Sequence, residues 1–217
     1  MDTSPILVDV ETSPLPNAAD YFEPVEAAKN LVDPAKIARD IEQRTAAQID
    51  KASLDYNVGR IVALGWWTAE TGARTSVCTN DVEECAALGD FWATARHRTI
   101  VGFCIKSFDL PWMIQRSRYL GMAAPVLDLG RYSRSESIVD LYHLLTFNDS
   151  QDTYVMRRTV HAFCRRFGIP VEDTITGKDV PALVAAGEWE KVRQHVESDV
   201  RLELALARRL RVIAAEG

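Results

Sequence analysis

The chain begins with a short apolar run, "ILVDV" at residues 6–10, whose length and β-branched content predict a strand. Prolines 14, 16 and 24 then break the pattern, and "DPAKIARDIEQRTAAQID" reads as a helix opened by Asp33 and Pro34. That stretch, residues 14–57, is expected to be a surface-exposed helical insertion. Two β-rich runs follow, "GRIVALGWWTA" and "ARTSVCT", separated by "ETG", the signature of a hairpin. A helix is expected from Asp81 to Arg96, then a strand at "TIVGFC", then a helix opened by Asp109 and ended at Gly121. "PVLDLG" at 125–130 reads as a further short strand, and helical spacing dominates from residue 153 to the end. Three strands in a meander followed by alternating α and β elements imply an α/β fold with a mixed five-stranded sheet flanked by helices.

In the first strand side chains alternate, so Ile6, Val8 and Val10 share one face while Leu7, Asp9 and Glu11 share the other. Two carboxylates side by side raise each other's pKa and are costly to bury unless a cation neutralises them. A hard divalent ion is the simplest remedy. The bland alternative ends the strand at Val10 and leaves Glu11 in solvent. Asp109 likewise has two readings: an ordinary helix cap, or a third acid delivered to the first strand by the end of the fourth. His195 and Asp199 lie four apart on the last long helix, on a face that continues into Leu202 and Leu206. The acid therefore abuts the core side, unless a salt bridge to Arg201 or another arginine accounts for it.

Composition narrows the class. At 217 residues, 47% hydrophobic and 26% charged, without repeats or low-complexity tracts, the chain is expected to form one globular domain over 1–217. No apolar stretch approaches the ~20 residues of a membrane span, so a cytoplasmic protein is expected. Four cysteines without a C-x-x-C pair indicate neither a zinc knuckle nor a disulfide framework. The formal charge of −6 argues against nonspecific coating of nucleic acid. Charge is uneven, however: residues 1–57 hold 11 acids against 5 basic residues, whereas 116–166 hold 8 arginines against 5 acids.

Taken together, "VDVETSP", "VGFCIKSFDLPWM", "VDLYHLL", "GKDVPALVAAGEWEKV" and "HVESDVRLELALARRL" resemble, in order, the DEDD superfamily of 3′-to-5′ exonucleases. Within it the likeness is to the predicted exonucleases related to the proofreading domain of family B DNA polymerases. The resemblance implies a ribonuclease H-like fold. It makes Asp9, Glu11, Asp109 and Asp199 ligands of two Mg²⁺ or Mn²⁺ ions, with His195 beside the attacking water, and nucleoside 5′-monophosphates as products of a single-stranded DNA or RNA 3′ end. Lys106, Arg157 and Arg158 are candidate phosphate contacts, and a polymerase or other partner in trans fits a chain of this size. Trp66, Trp67 and Trp112 could stack bases, although such tryptophans are usually core.

Two positions depart from the family pattern. His195 stands where one subgroup has tyrosine; the other large subgroup has its histidine one residue earlier, where this chain has Gln194. One residue is ~100° of helix rotation, so the imidazole approaches from the tyrosine's direction, and its pKa near 6.5 suits a general base. Cys104 stands where relatives commonly carry asparagine, which removes a hydrogen-bonding group near the substrate's end. Two other classes stay open: a noncatalytic nucleic-acid-binding protein that keeps the fold, and a ribonuclease H-like endonuclease.

Overall fold

The computed structural model describes residues 4–130, 137–147 and 159–214. Strand β1 (Pro5–Pro14) lies at the centre of a five-stranded sheet. On one side it pairs antiparallel with β2 (Gly59–Thr68), which pairs antiparallel with β3 (Gly72–Val77). On the other it pairs in parallel with β4 (Thr99–Gly102), and β4 with β5 (Ile138–Asp140). The order is therefore β3-β2-β1-β4-β5. β1 outruns its expected end at Val10, and its pairing with β2 shifts register between Glu11 and Thr12. Glu11 thus belongs to the strand and is buried, which removes the reading of a solvated loop acid.

The fifth strand is not where hydrophobicity placed it. Residues 125–130 belong to no strand, with Leu127 and Leu129 resting on the core while Val126 is 94% exposed. The strand is Ile138–Asp140 instead, three residues whose parallel ladder with β4 carries no periodic signal of its own.

Between β1 and β2 runs helix α1 (Pro34–Ala52), with Pro34 in its first turn and Asp33 accepting the Ala35 amide at 2.9 Å. Its final residue, Ala52, packs with Ala18 and Val58, while most of the helix stays exposed. Helices α2 (Asp81–Ala95) and α3 (Asp109–Tyr119) cover one face of the sheet, where Ile6, Val8 and Val10 meet Leu88, Phe91, Leu110, Trp112 and Met113. Buried Glu84 of α2 ties this layer together: it forms a double hydrogen bond with Arg116 of α3, both arms at 2.8 Å, and accepts the Ile61 amide of β2 at 3.0 Å.

The opposite face carries α4 (Leu141–Leu145), α5 (Val160–Arg166), α6 (Val180–Ala185) and α7 (Trp189–Arg209). Leu7, Val101 and Leu141 pack there against Leu206 and Ala207 of α7, and Val62 and Ala63 against Val192 and Val196. Trp66 and Trp112 are buried in the core, and Arg208 lies over the half-buried Trp67, so the three tryptophans serve packing. Among the described residues no helix is long and apolar enough to cross a membrane.

Candidate active site

The face of β1 that carries Leu7 also carries Asp9 and Glu11, and α7 crosses it at close range because of one glycine. Gly65 is the ladder partner of Asp9. A Cβ there would lie 2.7 Å from Val200 Cγ2, closer than side chains tolerate, and a tight 3.1 Å from Val196 Cγ2. Without it, Val196 and Val200 settle onto β2, and their helix neighbours His195 and Asp199 face the two acids.

His195 is almost fully enclosed, 1% exposed. Its Nδ1 is 2.7 Å from Asp173 Oδ2, on the loop before α6. Its Nε2 lies 3.0 Å from Glu11 Oε1 and 3.8 Å from Asp199 Oδ2, ion-pair distances without a well-directed hydrogen bond. Asp199 also meets His161 of α5, whose Nε2 is 3.3 Å from its Oδ1. Among the described residues the partners of Asp199 are thus two histidines, not the arginine that a surface salt bridge would supply. Glu11, His195 and Asp199 together offer ligand atoms within 4.8 Å of one another.

Asp109 arrives from the opposite side of β1. It does not cap its own helix: Phe108 holds the cap position without a side-chain hydrogen bond, and Asp109 Oδ1 accepts the Val10 amide at 3.1 Å. The turn leading to it is pinned by two further buried acids. Glu203 Oε2 accepts the Phe103 amide and Asp140 Oδ2 the Lys106 amide, each at 3.1 Å. Within that turn Cys104 adopts φ +60° and its carbonyl accepts the amides of Ser107 and Phe108. Lys106 is half-buried on the same turn; Arg157 and Arg158 lie outside the described residues.

So many carboxylates buried together have a clear electrostatic signature. Burial, with the charges of Glu203, Glu11, Asp199 and Asp109 added, pushes the Asp9 carboxyl well above its ordinary range. Asp9 Oδ2 is sealed from solvent and has no hydrogen-bond partner among the described residues. Burial raises Asp109 to about 8, against the opposing pull of the Val10 amide. Burial also raises Glu11 and Asp199, partly offset by His195, and raises Glu203 well above normal with help from Asp109 and Asp199. Burial of the imidazole lowers His195, but Glu11, Asp199 and Asp173 outweigh it and lift the ring to about 9. All these shifts answer one unmet need, positive charge between β1 and α7, and oxygen donors in this number suit a hard divalent cation.

Asp173, His161, Glu203 and Asp140 had no separate role in the sequence reading. Glu203 follows Asp199 by four and could have been found by extending the same helix face; Asp173 and His161 carry no local signal, because their partners are distant in the chain.

Residues 53–211 match the family described as predicted 3′-5′ exonucleases related to the exonuclease domain of PolB. The chain belongs to this family. Asp9 and Glu11 precede the matched range, so their place beside Asp109 and Asp199 rests on the structure alone. The solved family B DNA polymerase from the hyperthermophilic archaeon Pyrobaculum calidifontis is similar in fold, with a TM-score of 0.61 at 18% identity. The likeness covers 97% of this chain and 25% of the polymerase, so the chain spans about a quarter of that protein's length. No curated protein sequence matches the chain. The sheet order, the helices on both faces and this similarity make the fold ribonuclease H-like, as the motif order implies.

Proposed function

We propose that the protein is a metal-dependent 3′-to-5′ exonuclease of the DEDD type, releasing nucleoside 5′-monophosphates from the 3′ end of single-stranded DNA or RNA. The observation that carries this reading is the sealed Oδ2 of Asp9, without a partner among the described residues, amid carboxylates that burial and mutual repulsion drive toward neutrality. Asp9, Glu11, Asp109 and Asp199 would hold two Mg²⁺ or Mn²⁺ ions. When bound, such a pair lowers the pKa of a water and offsets charge on the attacking and leaving oxygens.

The chain's own groups supply the rest. His195 faces Glu11 and Asp199 through Nε2 and takes the proton of the attacking water there. The carboxylates around the ring lift it to about 9, and divalent cations on those carboxylates would oppose that rise and favour the neutral imidazole that accepts a proton. Asp109, held by the Val10 amide, keeps its carboxylate fixed against β1. Lys106, on the turn before α3, contacts a phosphate of the strand, with Arg157 and Arg158 as further contacts. A partner protein acting in trans is compatible with a chain that corresponds to one part of a polymerase.

The test uses 5′-labelled single strands of DNA and RNA, with free and blocked 3′ ends, in Mg²⁺ or Mn²⁺, beside an Asp109→Ala control. Stepwise shortening of the free-ended strands alone, lost in the control, is the expected result. Internal cuts would assign an endonuclease, and binding without cleavage a noncatalytic protein.

A further inference from the structure

We propose that Asp173 is a positioning residue, which fixes the tautomer and orientation of His195 so that Nε2 is the proton-accepting nitrogen. The proposal rests on the exonuclease reading above and assigns within it a residue that neither the motif order nor any sequence pattern singles out.

The geometry sets which side of the imidazole Asp173 holds. Nδ1 sits 2.7 Å from Asp173 Oδ2, the shortest contact the ring makes among the described residues. A carboxylate only accepts, so the proton on this side belongs to Nδ1. Nε2 is left buried, 3.0 Å from Glu11 Oε1 and 3.8 Å from Asp199 Oδ2, and makes no well-directed hydrogen bond among the described residues. A group that must receive a proton from a water held between those acids needs that nitrogen uncommitted. A carboxylate behind the ring is a general means of arranging this, because it holds the ring and stabilises the imidazolium that forms.

Asp173 is itself held in place. Its other oxygen accepts the Ile175 amide at 2.8 Å. Six residues on, Asp179 accepts both the amide and the hydroxyl of Thr176, at 2.9 and 2.8 Å, and Val180 enters the core. Gly177 of the same loop passes beside the site: a Cβ there would meet Glu11 Oε2 at 3.5 Å. One short loop thus lies against both Glu11 and the back of His195.

The measurement is ¹⁵N NMR of histidine-labelled protein with Mg²⁺ present near pH 8, together with steady-state kinetics on a free-ended strand. In the wild type His195 is expected to carry its proton on Nδ1. In Asp173→Asn the Nδ1–H signal should give way to a mixture of tautomers, with kcat down about 100-fold, within the range of general acid–base contributions, and KM changed less than about threefold. A wild-type ring protonated on Nε2 overturns the proposal whatever the variants do, so it stays falsifiable if Asp173→Asn fails to fold. A folded Asp173→Asn with wild-type tautomer and kcat overturns it as well. A wild type with the Nδ1–H signal that releases no mononucleotides also overturns the role, and the retained signal shows that the exonuclease reading, not the carboxylate–imidazole pair, has failed.

Discussion

The Val10 amide donates to Asp109 Oδ1 at 3.1 Å, joining the central strand to a helix 99 positions later in the chain. Asp109 therefore holds the site together and contributes to its charge, and two substitutions separate those roles. Asp109→Asn keeps an oxygen for the Val10 amide while removing a buried like charge. In EDTA at pH 8 it should melt at or above the wild-type temperature, yet gain nothing from Mn²⁺ and lose activity by more than about 100-fold, the upper range for outer-shell partners of a metal. Asp109→Ala strands a buried donor, which costs roughly 1–3 kcal/mol, and should melt lower. A scanning-fluorimetry series of the three proteins with and without Mn²⁺ checks both.

Stability without metal should fall as pH rises. Asp109 moves from 3.8 to about 8 and His195 from 6.5 to about 9, both upward in the folded protein. A raised pKa means the native state binds more protons than the unfolded chain, so the stabilisation is complete below the unfolded values and is lost as pH climbs through the folded ones. Melting temperature in EDTA should decline from about pH 5 toward pH 9, and saturating Mn²⁺ should flatten or invert that slope, because cations bind the deprotonated carboxylates. A metal-free slope of the opposite sign would contradict the electrostatics of the site.

Gly65 sets the separation between α7 and the sheet. In Gly65→Ala the new methyl meets Val200 Cγ2 at 2.7 Å, and because valine is stiff at χ1 the helix must shift. Overpacking of this kind costs roughly 1–3 kcal/mol, and a shift of α7 moves His195 and Asp199 off the acids of β1. Melting temperature and activity should both drop, and Gly65→Ala/Val200→Ala should recover part of each. A double-mutant cycle in melting temperature and kcat reads the coupling.

Much of this was legible in the chain because it depends on local period. The alternation Ile6, Val8, Val10 against Leu7, Asp9, Glu11 needs only the two-residue repeat of a strand, and the four-residue step from His195 to Asp199 needs only the helix turn. Element boundaries followed where a cap marks them, as Asp33 and Pro34 do for α1. The fifth strand was misplaced because Leu127 and Leu129 alternate like a strand yet pack without a ladder, whereas Ile138–Asp140 is too short to show a period. Asp173 and His161 were invisible for a different reason: each matters only through a residue 22 or 38 positions away, and nothing in "VEDT" or "TVHAF" records that distance.

Cys104 occupies the left-handed region at φ +60°, which costs an ordinary L-residue roughly 1–2 kcal/mol and which asparagine adopts readily. Asparagine is also what the resembling exonucleases commonly carry there. Cys104→Asn should raise the melting temperature by an amount corresponding to about 1 kcal/mol and should not reduce exonuclease activity. Fluorimetry and the end-labelled strand assay check the two halves.

The Glu84–Arg116 pair lies on the other face of the sheet from the acids and provides a control. Glu84→Ala leaves the Ile61 amide without its acceptor and the buried guanidinium with only the 3.6 Å ion pair to exposed Asp81. Loss of one partner from a buried pair costs about 3–5 kcal/mol, so the variant should melt far below the wild type while the activity of the fraction still folded, measured at low temperature, stays within about twofold.

β1 comes first in the chain but sits in the middle of the sheet, bonded on one side to a strand that starts 45 residues after its own end and on the other to one beginning at Thr99. A newly made chain therefore cannot complete its central ladder until β4 has emerged, and those long-range pairings place this topology among slower folders. Until then Asp9 and Glu11 are ordinary solvated acids. Ripening of the molecule and assembly of its acidic cluster are therefore one event.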